Sequence, residues 1–385
     1  MTESPLEGLR GERLAVLRDL NGLTQDELAQ TLGVSQGFLS HVEKGTRPMP
    51  SSLAIQASSA YQVPLTFFAA DPGVAGLGPF TFRKKASARV KDERRITALY
   101  TEAARLFHDV SAESGLQTRQ LPDPGDFDHD PELCAAAVRA SAGLASEEPV
   151  KNVTRLLERN GVGVVTQLDE APTTVSDHLG VSRPTSLNTR PLVATVHELP
   201  GAVQRLSLGH EAGHWLFDGQ RQTAIAGTRS LEEERAFRFG GALLIPEQVV
   251  RHRITESLSL HGYMRLKADY GISIAALIRR AKDLDAITPS RYRSLSIQLS
   301  SQGWRLNEPV DVAQETPRLL EQALRQVHGP RPVRRASEEH GIDPRLLRRW
   351  VGEPATATHD HAKVFELRPP DRPDRGRSNV RLIES

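Results

Sequence analysis

Apolar positions recur along this chain mostly at helical spacing, and strand-like runs are few and short, so the pattern predicts a mainly α protein. Leu14 and Leu17 mark an amphipathic helix that Asn21-Gly22 stops. Thr24-Gln-Asp-Glu27 is a capping box: the threonine hydroxyl caps the next helix and Glu27 reaches back to it. That helix turns Leu28, Ala29 and Leu32 inward and ends at Gly33, a residue suited to the left-handed conformation of a sharp turn. Ser35 then caps a helix from Gln36 to Glu43 whose Leu39 and Val42 face the first. Two helices joined this tightly, with the small Ala29 at their crossing, predict an all-α helix-turn-helix domain within residues 1–70.

Residues 71–150 read as a linker and helical connector. Asp71-Pro-Gly-Val-Ala-Gly-Leu-Gly-Pro79 has the composition of a linker that lets the head move. A basic cluster of Arg83, Lys84, Lys85, Arg89, Lys91, Arg94 and Arg95 opens a helix running through Leu99, Ala103 and Leu106. A solvated face is the simpler account of it, with added phosphate contact as the other. In residues 151–330, Lys151 to Asn160 is helical, and Gly161 to Thr166 and Pro191 to Val196 are short β-branched runs bounded by turn residues. Two or three such strands ahead of a long helix around residue 210 predict a small sheet packed on it, an α+β domain. Residues 331–385 form a basic helical end and, from about Gly352, a Pro- and Arg-rich tail that reads as disordered. Leu32-Gly-Val-Ser35, Tyr270-Gly-Ile-Ser273 and His340-Gly-Ile-Asp343 share one punctuation, a helix stop, an apolar residue and a cap, which plain helix capping explains.

Composition changes the picture only by exclusion. A net charge of +1 gives no global attraction to nucleic acid, so any basic surface must be local. No signal pattern opens the chain and no apolar run approaches a membrane span, so a cytoplasmic protein without a membrane partner is expected. The single cysteine, Cys134, excludes an intramolecular disulfide and reads as a bystander.

The chemistry sits in two places. The second helix of the predicted helix-turn-helix would enter a major groove with Gln36, Ser40 and His41 near the base edges, glutamine being suited to adenine. Gln25 and Ser35 at the helix starts, and Lys44, Thr46 and Arg47 after the second helix, fall where phosphate contacts position the protein. Gly37 inside that helix costs about 1 kcal/mol relative to alanine.

In His210-Glu-Ala-Gly-His214 two imidazoles lie one helical turn apart and can reach one ion, with Glu211 about 100° round the helix as a general base. The next helix, Leu231 to Pro246, offers Glu232, Glu233 and Glu234, which helical phase separates. Glu233 shares the inward stripe with Ala236, Phe237, Gly240 and Leu244, while Glu232 and Glu234 are placed for ion pairs with Arg235 and Arg238. An inward carboxylate among apolar neighbours needs a counter-charge, which a metal supplies. His210, His214 and Glu233 then make a two-His, one-Glu set with a fourth position open for water. Zinc is the first expectation, with manganese or another divalent ion open to the same donors. Gly240-Gly241 would let this helix approach the one bearing Gly209 and Gly213. His252 and Tyr263 follow the ligand helix and are candidates for oxyanion stabilisation.

Leu23-Thr-Gln-Asp-Glu-Leu-Ala29, Leu32-Gly-Val-Ser35, Glu43-Lys-Gly-Thr-Arg47, Val63-Pro64 and Phe67-Phe68 together resemble the Cro/CI-type (XRE) helix-turn-helix family. Leu208-Gly-His-Glu-Ala-Gly-His-Trp-Leu216, followed by Glu233, Ala236, Phe239-Gly240 and Leu243-Leu-Ile-Pro246, resembles the ImmA/IrrE metallopeptidase family, which is often fused to such a head. The chain departs from that pattern at Gly209, Ala212 and Gly240, none of which is a ligand or the base. The resemblance implies operator DNA and a protein substrate as partners, the substrate being an XRE-type repressor in stress or mobile-element control, and leaves a homodimer open. Two other readings stay beside it: a regulator whose metal domain is a non-proteolytic sensor or scaffold, and a peptidase whose head holds a repressor rather than DNA. Glu211, which a scaffold would not need, favours the peptidase.

Overall fold

Side-chain alternation along short strands divides the interior of this protein in two. In β4, Leu192–Thr195, Leu192 and Ala194 point into one core and Val193 into another. In β2, Gly163–Val165, Val164 and Val165 divide the same way. The computed structural model describes residues 8–71, 73, 80–84, 90–116, 120–170, 178–185, 188–220 and 230–352. Within them a four-stranded sheet has the order β1-β3-β4-β2, with β1 at Thr81–Lys84 and β3 at His178–Ser182. β3 pairs antiparallel with both β1 and β4, and β2 runs parallel to β4. The two strands expected from β-branched runs are present. β1 and β3 lie in stretches without that composition.

One face of the sheet carries the metal-type helix α8, Gly201–Phe217. Around it stand α6 (Pro131–Ser141), α7 (Val153–Arg159), α9 (Leu231–Leu244), α10 (Glu247–Arg253), α11 (Leu260–Tyr270), α12 (Ile274–Asp283) and α13 (Pro289–Ser301). The other face carries α5, Val90–Glu113, and α14, Leu319–His328. The cluster on that side continues into the head: α1 (Glu12–Leu20), α2 (Gln25–Thr31), α3 (Gln36–Glu43), α4 (Ser51–Tyr61) and a 3-10 turn at Leu65–Ala69. It also includes α15, Pro332–His340, and α16, Pro344–Trp350.

The head forms as its sequence predicts. Thr24 and Glu27 make both bonds of the capping box, Ser35 accepts from the Phe38 N–H, and Gly33 is left-handed at φ 58°. Leu28, Ala29, Leu32, Leu39 and Val42 are buried between the helices. The recurring punctuation is capping throughout, with Gly271 and Gly341 left-handed and Ser273 and Asp343 accepting from the helices they open.

The attachment of the head differs from expectation. Most of the stretch read as a linker, 72 and 74–79, lies outside the described residues. What the described residues show is a head packed on α5 around one buried carboxylate. Glu102 accepts from Arg13 Nη1 and Nη2 at 2.7 and 2.8 Å and from Arg105 Nη2 at 2.9 Å. Arg13 also donates from Nε to the Phe67 carbonyl and lies 4.1 Å over the Phe67 ring, while Arg105 donates to the His340 carbonyl. The basic end is docked here too: Thr66 Oγ1 donates to the Glu338 carbonyl at 2.6 Å, and Arg345 Nη2 to that of Tyr61 at 3.1 Å. Within the basic cluster, Arg95 bonds both oxygens of Asp169 and so is spent internally, while Lys91 and Arg94 are exposed. Residues 353–385, read as a disordered tail, lie outside the described residues.

Burial alone would push the Glu102 carboxyl up, but Arg13 and Arg105 hold it down at about 2. Its folded value lies below its ordinary 4.5, so its contribution is present above about pH 4.5 and lost as pH falls toward 2. Glu102→Gln is predicted to cost about 3–5 kcal/mol in urea unfolding at pH 7, because it strands a buried guanidinium. The difference from wild type should narrow as pH falls below about 4.5, and a difference independent of pH would refute this account.

Candidate metal centre

Helix α8 is buried on nearly all sides, and its start is pinned by buried polar contacts. Arg205 pairs with Glu315, and Gln204 exchanges two hydrogen bonds with the Glu315 backbone. Helix α9 begins at Ser230, whose hydroxyl accepts from the Glu233 N–H and so sets where the first glutamates fall. The two helices then meet backbone to backbone. A Cβ added at Gly209 would lie 3.1 Å from Gly240 Cα, one at Gly240 2.8 Å from His210 N, and one at Gly213 2.9 Å from Ala236 Cα. Gly241, expected to share this approach, faces the Arg280 guanidinium instead.

The approach brings three donors together. His210 Nε2 and His214 Nε2 are 3.1 Å apart, and the Glu233 oxygens lie 3.4 Å from each ring nitrogen. An ion with arms of about 2.0–2.1 Å in tetrahedral geometry needs ligand atoms about 3.4 Å apart. The donor set therefore fits a divalent metal, and both histidines are buried, with Glu233 partly so. Burial opposes charge on His214, yet Asp218 and Glu233 outweigh it and raise its pKa to about 9. Glu233 is held at about 2 against its burial by the same two imidazoles. The site is built for positive charge.

Asp218, which caps the end of α8, was not singled out from sequence. Its Oδ2 stands 2.7 Å from His214 Nδ1, and its Oδ1 accepts from Arg235 Nη2 at 2.6 Å. A carboxylate on Nδ1 leaves the Nε2 lone pair directed at the ligand cluster. Arg235, expected to pair along its own helix with Glu232, thus reaches across to Asp218 and stacks 4.8 Å over the Phe217 ring. Asp218 follows His214 by four residues, which was the available signal.

Glu211 is buried against β3. Ser182 Oγ donates to Glu211 Oε2 at 2.6 Å, and a Cβ at Gly180 would come within 2.6 Å of Oε1. Strand alternation puts residues 180 and 182 on this face while Val181 enters the opposite core. Neither partner was legible, because β3 was not. A cleft of about 470 Å³ opens beside the end of α8, lined by Trp215, Phe217 and Gly219 among others, but by none of the three ligands. His252 and Tyr263 are placed elsewhere: His252 is exposed and pairs with Glu147, and Tyr263 is buried with Arg291 and Glu256 as its charged neighbours. Following the ligand helix in sequence did not bring them to it, because α10 and α11 pack into the helical core around α12.

On the head, Gln36, His41, Lys44, Thr46 and Arg47 are exposed and Ser40 is partly so. Gln25 is tied down by protein partners: its Nε2 donates to Glu43 Oε2 at 2.8 Å and its Oε1 accepts from Gln36 Nε2. Ser35 spends its hydroxyl as the α3 cap, His41 Nδ1 stands 3.0 Å from Thr46 Oγ1, and Arg47 covers the Phe38 ring. Adding a Cβ at Gly37 would meet nothing within 4 Å, so the glycine is not required by packing.

Residues 14–68 match the helix-turn-helix family model, and residues 160–282 match a peptidase-family model described as the IrrE N-terminal-like domain. Comparison with curated proteins and with solved structures finds no match. The chain thus joins a helix-turn-helix segment to an IrrE N-terminal-like, metallopeptidase-type segment, the fusion expected from its motifs. No described helix is long and apolar enough to cross a membrane.

If Asp218 orients His214, Asp218→Asn should lower metal affinity about 10–100-fold while the fold persists. Competition with a chromogenic chelator measures this, and an unchanged affinity would remove Asp218 from the centre.

Proposed function

We propose that this protein is a sequence-specific DNA-binding regulator whose second segment is a metal-dependent endopeptidase acting on a protein substrate. The observation that carries the reading is Glu211, a buried carboxylate on the ligand helix, next to His210 and fixed by Ser182. A structural metal site has no use for such a group, and a hydrolytic one needs it as base.

His210, His214 and Glu233 would hold the ion, with zinc the first expectation and manganese another. When bound, the metal supplies Lewis acidity and lowers the pKa of water toward about 7. Glu211 takes a proton from the attacking water as a C–O bond forms, then delivers it to the departing amine as the C–N bond breaks. The Ser182 hydroxyl stabilises the charged carboxylate and fixes its orientation. Asp218 and Arg235 keep the His214 ring from turning. The substrate is a repressor of the helix-turn-helix type or this chain itself, and the head binds the operator.

The full chain and Glu211→Gln, each loaded with Zn2+ or treated with chelator, are to be incubated with candidate repressors and alone, and products read by mass spectrometry. Cutting is expected only in the metal-loaded wild type, with Glu211→Gln keeping its metal and losing activity. Cutting that survives Glu211→Gln would sink the mechanism.

On DNA, Lys44→Ala and Arg47→Ala are each expected to weaken binding to all sequences and to reduce the salt slope by about 1. Gln36→Ala should relax preference at one position at a cost of about 1–3 kcal/mol. Binding independent of salt would argue that the head holds a protein instead.

A further inference from the structure

Outside the site above, and outside both matched segments, a second set of donors converges where α5, α14 and α15 meet. His328, the last residue of α14, and His340, the last of α15, are both buried, and their Nε2 atoms face each other at 3.0 Å. Glu113, at the end of α5, brings Oε2 to 3.8 Å from His340 Nε2. The corresponding spacings in the first centre are 3.1 Å between imidazoles and 3.4 Å to the carboxylate. A carboxylate stands behind one imidazole here too, though it is more exposed and farther off. Glu339 Oε2 stands 3.3 Å from His328 Nδ1, as Asp218 stands by His214 Nδ1, so a proton on Nδ1 leaves the Nε2 lone pair facing His340.

Two buried imidazoles meeting through the same nitrogen can share a proton or share a cation. A cavity of about 380 Å³, lined by Asp71, Arg105, Asp109, Glu339 and His340, borders His340 and gives an ion a way in and room for water.

We propose that His328, His340 and Glu113 form a second binding site for a divalent transition-metal ion of the zinc class, fastening α14 and α15 to α5. Its position matters because α15 is one of the elements the head docks on, together with α5. Thr66 Oγ1 bonds the Glu338 carbonyl, and a Cβ at Gly341 would meet the Thr66 carbonyl oxygen at 2.6 Å. Ligation there would stiffen the seat of the head without touching the peptidase centre. The proposal does not depend on the peptidase reading, and its test is run with that centre removed.

The test uses the full chain carrying His210→Gln and His214→Gln, stripped of metal and titrated with Zn2+ by calorimetry, with Co2+ absorption as a second readout. One equivalent is expected to bind and to raise the thermal midpoint. Adding His328→Gln and His340→Gln should abolish both effects. Glu113 is half exposed, so Glu113→Gln should keep the fold and weaken binding tenfold or more. If the chain lacking the first centre is folded by circular dichroism and binds no Zn2+, the pair is an imidazole–imidazole hydrogen bond only and the proposal fails. Binding that survives loss of both His328 and His340, or that ignores Glu113→Gln in a folded chain, would equally overturn it.

Discussion

The candidate metal centre depends on how closely two helices can approach. Ligands on one helix come free with the sequence, since His210 and His214 share a face by periodicity. The third ligand must arrive from another helix, and a carboxylate arm as short as that of Glu233 reaches the imidazoles only if the axes nearly touch. Gly209, Gly213, Gly240 and Ala236 make that possible. A Cβ at Gly240 would fall 2.8 Å from a backbone nitrogen, an obstacle that no rotamer change relieves. Glycine inside a helix costs about 1 kcal/mol relative to alanine. Here that cost is offset by bringing a carboxylate within 3.4 Å of both buried imidazoles.

The sheet fixes Glu211. Because alternate residues of β3 face opposite ways, Gly180 and Ser182 both address Glu211 while Val181 fills the other core. Residue 180 must lack a side chain for the glutamate to lie where it does, and residue 182 must carry a hydroxyl to hold it. Glu211 is therefore positioned by a strand distinct from both helices, and a shift of register by one residue would present valine to it instead.

What could be read in the sequence followed local periodicity. The capping box, the left-handed Gly33, the helix pair and the choice of Glu233 over its neighbours all rest on residues within about two turns of one another, where spacing fixes geometry. Asp218 was within that range and could have been found as a carboxylate four residues after a ligand. Ser182 and Gly180 could not, because β3 has neither a β-branched run nor a clear alternation, and its pairing partners lie far along the chain. The same holds for Arg13 and Glu102, 89 residues apart, since an arginine on an amphipathic helix ordinarily reads as solvent-facing. Its burial turned an expected tethered head into a packed one.

That packing bears on what cleavage could accomplish. α5, on which the head packs, and α8 lie on opposite faces of one sheet, joined at the Leu192 carbonyl, which accepts from Tyr100 on α5 and from Trp215 on α8. A cut in the chain between Asp71 and Val90 would leave Arg13 on Glu102, Thr66 on Glu338 and Arg345 on Tyr61. The head would stay seated after its covalent link was gone, since a buried ion pair opens only at a cost of several kcal/mol. Self-cleavage at that position is thus a poor way to release the head from the rest of the chain. On the reading proposed above, a separate protein as substrate fits the architecture better than the chain's own link to its head.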